Sequence, residues 1–166
     1  KVNIDKMYPR LMSFVYGNMD KHPVLMDENT MRGLYNMKTG FAQLANALLM
    51  RGSKDSAAQV VDVMYKHMPR YNVQPDRFET NMPQVYFIAG QREKALKITD
   101  ELAKNAIEQI KWATNSDNRQ YVTSFGDTYE NLQTLNQLAQ ICGQYGETKK
   151  AEELTKEYQS LQSRMQ

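Results

Sequence analysis

Apolar residues recur every three or four positions along most of the chain, and the pattern is clearest over residues 41–69, FAQLANALLMRGSKDSAAQVVDVMYKHMP. Phe41, Leu44, Ala45 and Leu48 form one stripe; past Gly52, Ala57, Val61 and Met64 form another. This spacing predicts two helices folded back at Gly52. Ala45 and Ala57 are small where the helices must approach, and the Pro69 ring cannot extend the second helix. Upstream, apolar residues at 4, 7, 8, 11, 12, 14 and 15 predict a helix over 4–16, tolerating Pro9 only if it starts near that residue and ending at Gly17. Residues 17–27 read as a loop, with Asp27 or Asn29 available to cap the next helix. There Met31, Leu34, Met37 or Lys38, and Phe41 continue one stripe, which predicts a helix running into the first of the pair, with Gly33 and Gly40 as weak points.

The spacing of residues 41–69 is the tetratricopeptide register of one helical hairpin. A second copy falls into place when Gly90 is set against Gly52: Met82, Tyr86, Ala95 and Leu102 match, while Pro83 replaces the small residue and Thr99 stands for Val61. A third copy, aligned on Gly146, gives Leu135, Leu138, Ala139, Cys142, Ala151 and Tyr158. The turn glycines lie 38 and 56 residues apart, against about 34 in a standard repeat. This implies a short insertion at 71–76 and a longer one before the third copy. The expected fold is all-α, a tetratricopeptide-like right-handed stack of helical hairpins with about seven helices. It forms one domain over 1–166: N-terminal helices at 1–40, repeats at 41–69 and 79–107, an insertion at 108–130, and a third repeat with its cap at 131–166. Within the insertion, Tyr121, Val122 and Phe125 are expected to pin the loop 115–127 onto the body.

Composition supports this reading. Ala, Leu, Met, Gln, Lys and Glu are plentiful, with 5 prolines and 8 glycines in 166 residues. The net charge of +2 leaves neither half with a strong field, so nothing favours nucleic acid as a partner. The longest uncharged run, residues 131–146, is too short and too rich in amides to span a bilayer. The chain opens on Lys1, which is expected of a processed or excised piece of something longer.

Candidate chemistry is sparse. His22 and His67 lack neighbours at ligand spacing, and Cys142, the single cysteine, occupies a core position of the third copy, as a packed thiol would. No phosphate-binding glycine loop, zinc-protease motif or nucleophile elbow is present, and Asp117-Asn118 with Asp127 is too loose for calcium ligation. The pairs Asp27-Glu28, Asp100-Glu101 and Glu152-Glu153 read as solvated surface. No catalytic residue, cofactor or metal site is expected. Met7, Met31, Met64 and Met82 fall on core stripes.

Asp27-Glu28-Asn29, Arg32, Phe41, Leu44-Ala45-Asn46, Asp55-Ser56-Ala57, Met68-Pro69, the hairpin at 86–95 and the Ser124-Phe125 pair resemble the C-terminal soluble region of bacterial multi-pass membrane proteins with a protein O-mannosyltransferase-like core. The resemblance implies an appendage on the outer, periplasmic face of the inner membrane. Its implied parent is a sugar transferase using a lipid-linked donor, with the catalytic membrane part outside this chain.

The expected function is a non-catalytic interaction module, with a purely structural cap as the alternative and a free-standing enzyme unsupported. In such stacks, positions of each first helix off the core stripe line the concave face. They are Gln43 and Asn46, then Arg77, Asn81 and Gln84, then Gln133, Asn136, Gln137, Gln140 and Gln144. Asn46, Arg77, Asn81, Gln84, Asn136 and Gln140 are the candidate partner-binding set. Amides donate and accept without charge, which suits a protein or peptide backbone, the parent's own membrane domain, or a glycan. The alternative is that these amides face water or lie under residues 121–125.

Overall fold

The computed structural model describes residues 2–122 and 126–165, with backbone alone at 119–121. Phe125 and the Ser124-Phe125 pair therefore lie outside the described residues, as does the side chain of Tyr121. Among the described residues the chain is all-helical, with no strand. Seven α-helices occur: α1 (Ile4–Met12), α2 (Glu28–Met50), α3 (Lys54–His67), α4 (Met82–Ile88), α5 (Arg92–Thr114), α6 (Gly126–Gln144) and α7 (Thr148–Ser163). Short 3-10 helices occur at Arg77–Glu79 and Ser116–Tyr121. The chain divides into two compact units, Lys1–Arg92 and Glu93–Gln166.

In the first unit, α2 and α3 make the core. Phe41, Leu44, Ala45, Ala57, Ala58, Val60 and Val61 are all fully buried. The Asp27 carboxylate accepts from the Thr30 amide at 2.7 Å and starts α2. That helix runs unbroken through Gly33 and Gly40, as the shared stripe predicts. Gly40 also lets α1 approach, because a Cβ there would sit 3.3 Å from the Met7 methyl. The N-terminal helix differs from expectation. It starts at Ile4, capped by Asn3, so Pro9 lies inside it, and it ends at Met12 rather than Tyr16. Tyr16 leaves the helix because its ring stacks on His67 at 4.5 Å while its hydroxyl donates to the Leu11 carbonyl at 2.9 Å. Burial pushes the Tyr16 hydroxyl up to about 12. The following loop is held by Asn72, whose side chain accepts from the Val24 amide and donates to the Met19 and His22 carbonyls.

In the second unit, α5 buries Ala95, Ile98, Thr99, Leu102, Ala103, Ala106 and Ile110. Helix α6 begins at Gly126, a turn earlier than the expected start of the third copy, because Thr128 and Leu132 extend its buried stripe. Leu154 and Leu161 are the buried residues of α7. Lys150 ties α7 to α5 through Asp100 and also bonds Glu153, each at 2.8 Å. Burial lowers the Lys150 pKa, but these two carboxylates outweigh it and the net shift is upward. The Cys142 thiol is buried; desolvation raises its pKa against a smaller opposing effect of the Thr99 hydroxyl. It is a packed thiol.

Three helix ends close in the same way. Gly52, Gly90 and Gly146 have φ of 84°, 74° and 82°. Each donates to the carbonyl three residues back, and the next residue donates to the carbonyl five back. This is the double-bonded helix stop that needs a left-handed residue. Gly33, by contrast, is helical and has open space where a Cβ would go. Gly52→Ala should therefore destabilise by about 1 to 2 kcal/mol, whereas Gly33→Ala should stabilise by up to about 1 kcal/mol. Urea unfolding of the two variants checks this; shifts of the same sign would contradict the turn assignment. Ala45→Leu should overpack the α2–α3 contact and cost about 1 to 3 kcal/mol.

Candidate functional site

A lysine on an apolar stripe must find a partner, and Lys38 finds three. The residue is 2% exposed. Its ammonium donates to the Gln74 carbonyl at 2.8 Å, to the Val73 carbonyl at 3.5 Å, and to Oε1 of Glu79, itself 1% exposed. All three N–H donors are thereby used. Arg70 Nη2 lies 3.5 Å from Oε2 of Glu79, and its guanidinium sits 5.1 Å from the Tyr65 ring centroid. Burial first, and the Glu79 charge second, hold the Tyr65 hydroxyl well above its ordinary range. Asp76 and Glu79 form a reciprocal capping box around the 3-10 turn. Desolvation raises the Asp76 carboxyl, with Glu79 adding to the effect and Lys38 opposing it.

This cluster positions part of the predicted partner-binding set. Arg77, Asn81 and Gln84 flank Glu79 on the segment that Lys38 holds. Arg77 and Asn81 are exposed, and Gln84 is half-buried. The Arg77 guanidinium lies 5.1 Å from the Phe78 ring centroid. Asn46 is exposed on α2, and Gln43 lines an open groove of about 500 Å³ shared with Met7 and Leu11 and with the cations Lys6 and Arg10. Cations therefore stand beside that end of the expected amide face.

In the second unit two of the expected amides lie in a cleft. Gln133 and Asn136 of α6 line a cleft of about 250 Å³ with Tyr129 and Leu132 of the same helix, Tyr158 and Gln162 of α7, and Met165. The cleft follows from the hairpin. Tyr129 and Gln162 stand 17 and 16 residues from Gly146, so with a rise of about 1.5 Å per residue both lie roughly 25 Å from the turn, at the open end. On α7, Tyr158 continues the stripe of Leu154 and Leu161 but is only half-buried. Tyr129, Gln133 and Asn136 follow one another at four and three residues, hence on one face of α6. Gln140 is exposed on α6 and does not line the cleft. Among the described residues, the lining holds three primary amides, two phenols and two apolar side chains, with no charged group. It can donate and accept hydrogen bonds around an apolar floor. Among the described residues, no group of three or more His, Cys, Asp or Glu could hold a metal ion.

Sequence reasoning picked out Gln133 and Asn136 but missed Tyr129, Tyr158 and Gln162. The signal was present: Tyr158 and Gln162 are four residues apart, and Tyr158 sits where a leucine would complete the stripe. Lys38 entered the sequence reading only as an alternative to Met37 on the stripe, and its partner Glu79 did not enter it at all. The chain matches no protein-family model, no curated protein and no solved structure.

Two outcomes test the cluster. Lys38→Met alone leaves the buried Glu79 carboxylate with only the longer Arg70 contact and should cost about 3 to 5 kcal/mol, whereas Lys38→Met with Glu79→Gln, which removes the charge and keeps the capping oxygen, should recover part of that loss. Urea denaturation of the full cycle decides it, and additive single effects would refute the pairing. A carboxyl with a raised folded pKa stabilises the fold at low pH and loses that contribution as pH rises through the folded value. Asp76→Asn, which keeps the cap, should therefore melt higher than the parent protein at pH 7 and lose the advantage below about pH 4.

Proposed function

We propose that this chain is a non-catalytic helical interaction module that holds an uncharged polar ligand. The observation that carries the proposal is the α6/α7 cleft, a concavity lined by amides and phenols with no charged side chain among the described residues. Its chemistry is recognition rather than reaction, and the one thiol of the chain is buried with a raised pKa. In this proposal the hairpins α2/α3 and α6/α7 are tetratricopeptide-like units. The shared glycine stops support that reading, as does the fit of Ala45 and Ala139, both buried. Asn46, Arg77, Asn81 and Gln84 supply a second polar surface on the first unit, and Asn136 and Gln140 stand on α6.

The residue resemblance extends the proposal to the setting: an extracytoplasmic, periplasmic appendage of a membrane protein with a glycosyltransferase-like core, whose partner is a peptide, a glycan or the parent's own membrane domain. No helix among the described residues is long and apolar enough to cross a membrane. The proposal favours a ligand-holding module over a purely structural cap because a cap needs no cleft.

Binding through amides should be nearly insensitive to salt, since no ion pair is screened. Neutral peptides and oligosaccharides offered to the full chain should bind with affinities that change less than about threefold between roughly 0.05 and 0.5 M salt. Replacing Asn46, Asn81 and Asn136 together by Ala should weaken binding by about 2- to 10-fold or more while leaving the helical spectrum intact. A steep salt dependence, or unchanged affinity in the folded triple variant, would refute the proposal.

A further inference from the structure

We infer that the α6/α7 cleft is a subsite for one neutral sugar ring. The inference rests on the module reading and goes further by naming what the cleft holds. Size comes first. About 250 Å³ is below the roughly 300–1,000 Å³ of pockets that take drug-sized ligands, so the occupant is about one ring.

The lining then selects the kind of ring. Gln133, Asn136 and Gln162 each present an N–H₂ donor pair and a carbonyl acceptor. Sugar hydroxyls, which donate and accept from the same atom, match that mixture, whereas a purely apolar ring would leave the amides unpaired. Tyr129 and Tyr158 supply aromatic surface, and Leu132 and Met165 supply apolar contacts. A pyranose has what these need, a C–H-bearing face that packs on a phenol ring while its hydroxyl edge reaches the amides. Tyr129 is 57% exposed, so an occupant would cover aromatic surface now in water.

The absent groups narrow the choice. With no lysine, arginine or histidine among the described lining residues, a phosphate or carboxylate would be desolvated there without a counter-charge. An extended peptide fits less well, because its backbone groups recur about every 3.3 Å and need a run of partners longer than a one-ring cleft supplies.

The test is a titration of the isotope-labelled 166-residue chain, followed by nuclear magnetic resonance. The probes are glucose, mannose, N-acetylglucosamine and their disaccharides, with glucose 6-phosphate and neutral Gly/Ser/Pro hexapeptides offered separately. At least one neutral sugar should give saturable shifts centred on Tyr129, Gln133, Asn136, Tyr158 and Gln162. The affinity should be roughly millimolar, as a ligand of about a dozen heavy atoms sustains. The phosphorylated sugar should bind more weakly than its neutral parent. Tyr129→Ala and Asn136→Ala, both exposed positions, should each weaken binding by about 3- to 10-fold without moving the melting midpoint. If peptides saturate the cleft and sugars do not, the sugar assignment falls while the module reading stands. If neither class moves these residues, both fall. Sugar binding that ignores both substitutions also overturns the assignment.

Discussion

A helix stop closed by two overlapping backbone hydrogen bonds needs one residue in the left-handed region, and at the ends of α2, α4 and α6 that residue is glycine. Gly52, Gly90 and Gly146 share a left-handed φ and the same pair of backbone hydrogen bonds. Everything downstream depends on the register so set. With Gly146 in place, Leu135, Leu138, Ala139 and Cys142 of α6 are buried, and the same rotation brings Gln133 and Asn136 to the cleft edge. At the hairpin's open end the stripe of α7 carries Tyr158, which is half-buried and lines the cleft.

The first unit solves a different problem. Its irregular segment between α3 and α4 cannot be held by a helical ladder, so it is held by polar side chains buried for the purpose. Asn72 fixes the loop after α1 through three hydrogen bonds, and Lys38 fixes the segment after it through two carbonyls and Glu79. A buried ion pair is weak evidence for extra stability, because desolvation offsets most of the attraction. What it supplies is a single position. Glu79 satisfies Lys38 in only one placement of the 3-10 turn, and that placement carries Arg77 and Asn81.

The sequence made helices and turns legible because both rest on local chemistry. The period of apolar residues sets the faces, and a left-handed turn selects glycine, so α2 and α3 emerge close to their expected limits. The exceptions come from long-range contacts. Helix α1 ends early because Tyr16 stacks on His67, 51 positions further along the chain, which no local pattern encodes. Likewise a lysine on a stripe announces that a carboxylate is needed, but not that Glu79, 41 residues on, supplies it. Of the cleft, the amides of α6 were visible as off-stripe positions. The α7 contribution was obscured because Tyr158 reads as a core residue until the packing shows it half-open.

The central claim is that the α6/α7 cleft receives a neutral ring. The most direct measurement is a crystal structure of the chain grown with a neutral disaccharide. The predicted result is a pyranose ring against Tyr158 and Tyr129, with its hydroxyls within hydrogen-bond distance of Asn136, Gln133 or Gln162. A structure in which Tyr129 folds into the cleft and fills it, with sugar absent or bound elsewhere, would contradict the claim.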